Sequence, residues 1–130
     1  MKRKAFTLVE LLIVVIILGI LAAVVIPQFS DASDDARLSS LTTNLQTIRG
    51  QIELYKIQHA AYPPTTTAFG PAMTVEAGGY GPYLQSVPNN PFNNKNDIGA
   101  GTAGVGTTGW KYDSATGKFQ ANDDAAHAGL

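Results

Sequence analysis

From Phe6 to Ile26 the chain reads FTLVELLIVVIILGILAAVVI, twenty-one residues in which only Thr7 and Glu10 are polar. Apolar residues cover every face of such a helix, and at about 1.5 Å per residue it rises roughly 31 Å, against a hydrocarbon thickness of about 30 Å. The segment therefore predicts a helix able to span a bilayer. After Pro27 the pattern changes. A polar stretch, SDASDDA, gives way to apolar or aromatic positions at Leu38, Leu41, Leu45, Ile48, Ile52, Tyr55 and His59. Their spacings of three and four place them on one helical face. The two stretches read as one helix from Phe6 to about Ala60, apolar all round in its first half and striped in its second. A free coiled coil uses the same spacing, but the stripe is barely three heptads long and Gly50 crosses it.

Two residues inside this helix weaken it in water, Gly19 by about 1 kcal/mol and Pro27 by about 3 kcal/mol. In a bundle glycine lets helices approach closely, and proline frees a carbonyl and can bend or open the helix. Tyr62-Pro63-Pro64 ends the helical pattern, because proline lacks an amide donor and biases its predecessor away from helical angles. A loop-rich stretch follows to about Thr108. Then GWKYDSATGKFQAN alternates Trp110 and Tyr112 and turns at Asp113 to Gly117 before Lys118 and Phe119, the signature of a β-hairpin. The expected fold class is α+β: a long N-terminal helix packed on a small C-terminal domain with two or three short antiparallel strands.

Charge gives the helix a direction. Three of the nine basic residues, Lys2, Arg3 and Lys4, stand before the apolar run. The positive-inside rule leaves them in the cytoplasm and sends the rest outward. Without them, six basic residues face ten acidic ones, a net charge of −4. No sequence-wide basic field recruits nucleic acid. There is no cysteine, so disulfides, thiolate metal sites and cysteine nucleophiles are excluded.

Glu10 is the residue that a plain membrane anchor does not explain. A carboxylate inside an apolar span costs several kcal/mol unless paired, and such residues usually mark function. A cleaved secretory signal explains the basic start, with Ala22 and Ala23 as a cleavage site, but its apolar core is normally about 7 to 15 residues. KRKAFTLVELLIVVIILGILAAVVIPQF resembles the class III signal of type IV pilins and type II secretion pseudopilins. The resemblance implies cleavage between Ala5 and Phe6 by a prepilin peptidase, and N-methylation of Phe6. It also implies that Glu10 neutralises the N-terminal amine of an adjacent subunit during assembly. Paired, two charges that are each costly in lipid set the register between subunits. The family most often has glycine before the cut, where this chain has Ala5; alanine is small enough for the same pocket. The resemblance further suggests that the helix near Pro27 melts in the filament.

A second phrase, GPYLQSVPNNPF from Gly81 to Phe92, resembles the segment after the variable loop of major pseudopilins of type II secretion. The organisation implied is a leader over 1–5, a transmembrane and filament-core helix over 6–26, its amphipathic continuation over 27–60, and a small globular domain over 61–130. The implied work is polymerisation with identical and related subunits, on an inner-membrane assembly platform, with the C-terminal domain periplasmic or extracellular. A type IV pilus subunit, for adhesion, motility or DNA uptake, is the alternative within this class. Nucleic acid is a partner only in the DNA-uptake case. An anchored exported binding domain that never polymerises is the alternative outside it.

Other patterns point to weaker chemistry. GAGTAG (Gly99 to Gly104) and GVGTTG (Gly104 to Gly109) fit a dinucleotide fingerprint, which needs a strand before it and a helix after it. An Asn-rich loop precedes and a strand follows, so the stretch reads as a Gly/Thr loop. His59 reads as a partly buried helix residue and His127 as a solvated one. No catalytic residue or cofactor is expected. The family resemblance raises calcium, for which Asp97, Asp113, Asp123 and Asp124 are oxygen donors without a committed ligand set. Trp110, Tyr112 and Phe119 read as core under the hairpin rather than a stacking surface.

Overall fold

The computed structural model describes residues 5–130, the side chain of Pro27 excepted, so Lys2, Arg3 and Lys4 lie outside the described residues. Its main element is α1, Leu8–His59, a helix of 52 residues that runs through Pro27. The helix stops where expected. Ala60 takes a left-handed φ of 54°, and Tyr62-Pro63-Pro64 follows. The chain divides between Ala36 and Arg37 into two units. In the first, every apolar side chain from Leu8 to Ile26 is exposed.

The second unit holds the core. From α1 it takes Leu41, Leu45, Ile48 and Ile52, all essentially fully buried, as the stripe predicts. Tyr55 packs partly buried against them, while Leu38, at the stripe's start, is 39% exposed. Leu38 corrects the sequence expectation: the spacing continues past the end of the surface that covers it.

The stretch read as loop contains a second helix, α2, at Thr66–Thr74. Its sequence, TTAFGPAMT, hides it, because β-branched threonines, Gly70 and Pro71 all score poorly in helices. Tertiary packing overrides that preference: Phe69 and Met73, one turn apart, are fully buried in the core.

Three short strands form one sheet in the order β1 (Ile98–Gly99), β2 (Trp110–Asp113), β3 (Lys118–Ala121). β2 and β3 are the expected hairpin, with Tyr112 opposite Phe119 and Asp113 opposite Lys118. β1 departs from expectation by pairing parallel to β2, Ile98 with Trp110. A parallel pair needs a crossover that brings the chain back to the same end. The glycine-rich run between them supplies it, with Gly101, Gly104 and Gly106 at positive φ.

Alternation along the hairpin turns Trp110, Tyr112, Phe119 and Ala121 into the core. The two polar tips are satisfied there: Trp110 Nε1 donates to Pro88 O at 2.8 Å and Tyr112 OH to Pro63 O at 2.8 Å. Burial pushes the Tyr112 phenol well above its ordinary range. The buried Asn90 donates to Gly109 O and Asp123 Oδ1 and accepts from Phe92 N. Among the described residues every buried side-chain polar atom has a partner. Arg49 ties α1 to β3, its Nε and Nη2 donating to Phe119 O at 3.0 and 2.8 Å, and Nη2 also donates to Leu130 O at 2.6 Å.

At the hairpin turn Asp113 accepts from Thr116 Oγ1 (2.8 Å) and Ala115 N (2.9 Å), and these bonds hold its carboxyl below the usual range. Gly117 is required twice over: its φ is +74°, and a Cβ there would enter the Tyr62 ring.

Candidate functional site

The residues singled out from the sequence, Ala5, Phe6 and Glu10, lie together at the start of α1. Helical structure begins at Leu8, which leaves Phe6 and Thr7 outside it. Thr7 is the cap. Its Oγ1 accepts from Glu10 N at 3.2 Å, while Glu10 Oε2 accepts from Thr7 N at 2.8 Å and from Thr7 Oγ1 at 2.8 Å. This reciprocal arrangement is a capping box, in which the cap residue and the third helical residue satisfy each other's donors. A helix start leaves several amides without intrahelical partners, and the box pairs the Thr7 and Glu10 amides. The carboxylate also meets the positive end of the helix dipole.

Chemically the box does two things. It gives the carboxylate partners within its own chain, and it turns Glu10 back toward Phe6. Ala5, Phe6, Thr7 and Glu10 line one shallow depression, and the Phe6 side chain is 80% exposed. Both bonds to the carboxylate fall on Oε2; Oε1 accepts none among the described residues.

Sequence reasoning missed Thr7. The signal was present, because Thr7-Leu8-Val9-Glu10 is a T-x-x-E phrase directly before an apolar run, the local signature of a helix start.

The other candidates resolve into local structural roles. Tyr83 OH donates to Gln58 Oε1 at 2.6 Å and accepts from His59 Nε2 at 3.0 Å. His59 also stacks on Tyr55 with ring centroids 4.2 Å apart, as a partly buried helix residue does. His127 corrects the expectation of a solvated tail: its Nδ1 lies 2.5 Å from Asp123 Oδ2, and its ring lies 4.2 Å from that of Phe92. Sequence offered no cue, since the partners come from Phe92 and a four-residue spacing in an irregular segment.

The four aspartates do not form one ligand set. Asp97 accepts from Gly109 N, Asp113 closes the hairpin turn, Asp123 serves Asn90 and His127, and Asp124 accepts from Ala126 N. Among the described residues no three His, Asp or Glu side chains come together as a metal centre. The double G-x-G-x-x-G run begins in β1 and leads into β2, with no helix after it. A dinucleotide site needs that helix.

α1 is long and apolar enough to cross a membrane. Comparison with known proteins gives the rest of the picture. Residues 1–26 match the prokaryotic N-terminal methylation motif, and residues 28–109 match the type II secretion system protein G family. The chain is 32% identical over 100 residues to a type II secretion system core protein G of Pseudomonas aeruginosa, covering 72% of this chain and 70% of that protein. It is 30% identical over 99 residues to the corresponding core protein G of Vibrio cholerae, covering 72% and 68%. A fimbrial protein of Neisseria meningitidis is 35% identical over 85 residues, covering 65% of this chain and 49% of that protein. No solved structure matches the chain significantly.

Proposed function

Because this chain belongs to the type II secretion system protein G family, we propose that it is a major pseudopilin, a structural subunit that polymerises into a pilus-like filament. The observation that carries the reading is the first half of α1: nineteen residues from Leu8 to Ile26, exposed throughout, with one carboxylate held at their start. Apolar surface on that scale needs a cover that the chain does not supply. Lipid covers it before assembly and neighbouring helices cover it afterwards.

In this reading residues 1–5 are a leader, removed between Ala5 and Phe6 by a prepilin peptidase, after which Phe6 is N-methylated. Residues 6–26 anchor the subunit in the inner membrane with the N-terminus cytoplasmic. Residues 27–60 continue the helix, and residues 61–130 complete a domain on the periplasmic side. An assembly platform in the inner membrane takes up the subunits. The work is structural, with no catalytic centre assigned.

Glu10 is the assembly residue. Thr7 lowers the cost of its carboxylate in lipid by hydrogen bonding, since an unpartnered charge there is expensive. In the filament the N-terminal amine of a neighbour adds the compensating charge. The match over residues 28–109 favours the secretion filament over a type IV pilus, because the fimbrial relative aligns over less than half of its own length.

Replacing Glu10 with Ala or Val is the direct test. The expected result is loss of filaments with membrane insertion intact; normal filaments in that variant would remove the pairing role. Mass spectrometry of the mature subunit is expected to find methylated Phe6 as its first residue, and an intact Met1 or a start beyond Ala22 would refute the processing scheme.

A further inference from the structure

The glycine-rich run between β1 and β2 is bound on both sides by polar side chains. Asn90, fully buried, donates to Gly109 O at 2.9 Å and to Asp123 Oδ1 at 2.7 Å, so one amide joins the run to the C-terminal segment. The backbones are close there as well as bonded. A Cβ on Gly104 would lie 2.6 Å from Ala125 Cα, and one on Gly109 would enter the Lys95 carbonyl. Gly106 N also donates to Asn122 O at 2.7 Å. Three loop segments therefore meet at one place, and their carbonyl and carboxylate oxygens converge.

Converging oxygens of this kind are what calcium takes, six to eight at a time, and the family resemblance raises that ion. Here the chain supplies its own donors to them. Lys95 Nζ donates to Thr107 O at 2.9 Å and to Gly106 O at 3.4 Å. His127 Nδ1 meets Asp123 Oδ2 at 2.5 Å, and since an ionised carboxylate only accepts, the imidazole is the donor. With Asn90 on Oδ1, both oxygens of Asp123 are taken. The remaining aspartates serve backbone amides, Asp97 that of Gly109, Asp124 that of Ala126 and Asp113 that of Ala115 in the hairpin turn. An entering divalent ion would have to displace the Lys95 ammonium, which repels it. The donor set does not fit calcium.

We propose that Lys95 and His127 close the C-terminal end of the head at the oxygens a calcium ion would need, and that the head folds and keeps its stability without calcium. Each residue acts across loops. Lys95, whose own carbonyl accepts from Asn90 N at 2.8 Å, ties the segment before β1 to the glycine-rich run. His127 ties the C-terminal segment to the same place through Asp123, and its ring lies 4.2 Å from that of Phe92. The inference concerns the head alone and holds whether or not subunits polymerise.

The test melts the full chain in detergent, followed by the fluorescence of Trp110, in chelator and in millimolar calcium chloride at matched ionic strength. At about a hundred times its Kd, an ion held only by the folded head raises the melting temperature by on the order of 10 °C. The expected result is the same melting temperature in both solutions, and a rise of that size in calcium overturns the proposal. Two variants test the closure itself. His127→Phe keeps a ring beside Phe92 and removes the donor, while Lys95→Met keeps much of the stem and removes the ammonium. Each is expected to lower the melting temperature in chelator by about 4–8 °C. An unchanged value in either variant overturns the proposal. Should a variant fail to fold, equilibrium dialysis of the unmodified chain against radioactive calcium still decides: stoichiometric binding overturns the proposal, and absence of binding supports it.

Discussion

The two halves of α1 both carry leucine and isoleucine and do opposite things with them. Between Leu8 and Ile26 every side chain is exposed, whereas between Leu41 and Ile52 the aliphatic residues are fully buried. Arrangement separates them, since apolar residues on all faces exceed what one small domain can cover, while a single stripe matches one sheet and one short helix. The apolar half thus depends on a cover from outside the chain. The striped half folds its cover from residues after Pro64, which is why the core lies wholly beyond Arg37.

The sharpest way to break this comparison is to make the same substitution in each half. Ile48→Ala removes a fully buried side chain, and the head is expected to lose about 2–5 kcal/mol of stability. Ile16, 52% exposed, is expected to change head stability by less than about 0.5 kcal/mol when cut to Ala. Denaturant unfolding of the detergent-solubilised chain, followed by the fluorescence of the sole tryptophan, Trp110, reads both. Equal losses at the two positions would sink the division of labour.

A smaller effect isolates the polar link between helix and sheet. Arg49 donates three hydrogen bonds to the carbonyls of Phe119 and Leu130. Arg49→Met keeps much of the stem and removes the donors, for an expected loss of about 1.5–3 kcal/mol, the range for hydrogen bonds to a charged group. Arg49→Lys is expected to recover only part of it, since one ammonium does not reproduce the guanidinium fork. Full recovery by lysine in the same unfolding measurement would show that charge, rather than geometry, makes the link.

How much of this was legible depends on whether the signal is local. The helix, its buried stripe and the hairpin were readable because period and turn residues are written along the chain. The pilin-like resemblance was readable for the same reason, through the phrase around Phe6 and Glu10, and its pseudopilin branch through Gly81 to Phe92. α2 was not, because its threonines, Gly70 and Pro71 argue against helix and only the burial of Phe69 and Met73 favours it. The parallel pairing of β1 was hidden in a glycine-rich crossover with no period. At the candidate site Glu10 stood out as a charge in an apolar run, but Thr7 passed unnoticed until the cap geometry joined it to that charge. The role of His127 depends on Phe92, thirty-five residues earlier, and no local pattern links them.

The smallest expected effect is an acid one, and it belongs to the head alone. Asp113 closes the β2–β3 turn, and the bonds from Thr116 and Ala115 hold its carboxyl below the ordinary value of about 3.9. The folded state therefore binds a proton less readily than the unfolded state does. The stabilisation is fully present above about pH 4 and is lost as pH falls through the unfolded and then the folded value. Because the group is exposed at a turn, the change is modest and screened by salt. Asp113→Asn keeps the size of the side chain and removes the charge, so the head's melting temperature is expected to fall less steeply between neutral and acid pH than in the parent chain. The melting temperature is measured across that range at low and moderate salt. Identical acid slopes for the two chains would mean that the turn's bonds to Asp113 carry no electrostatic weight.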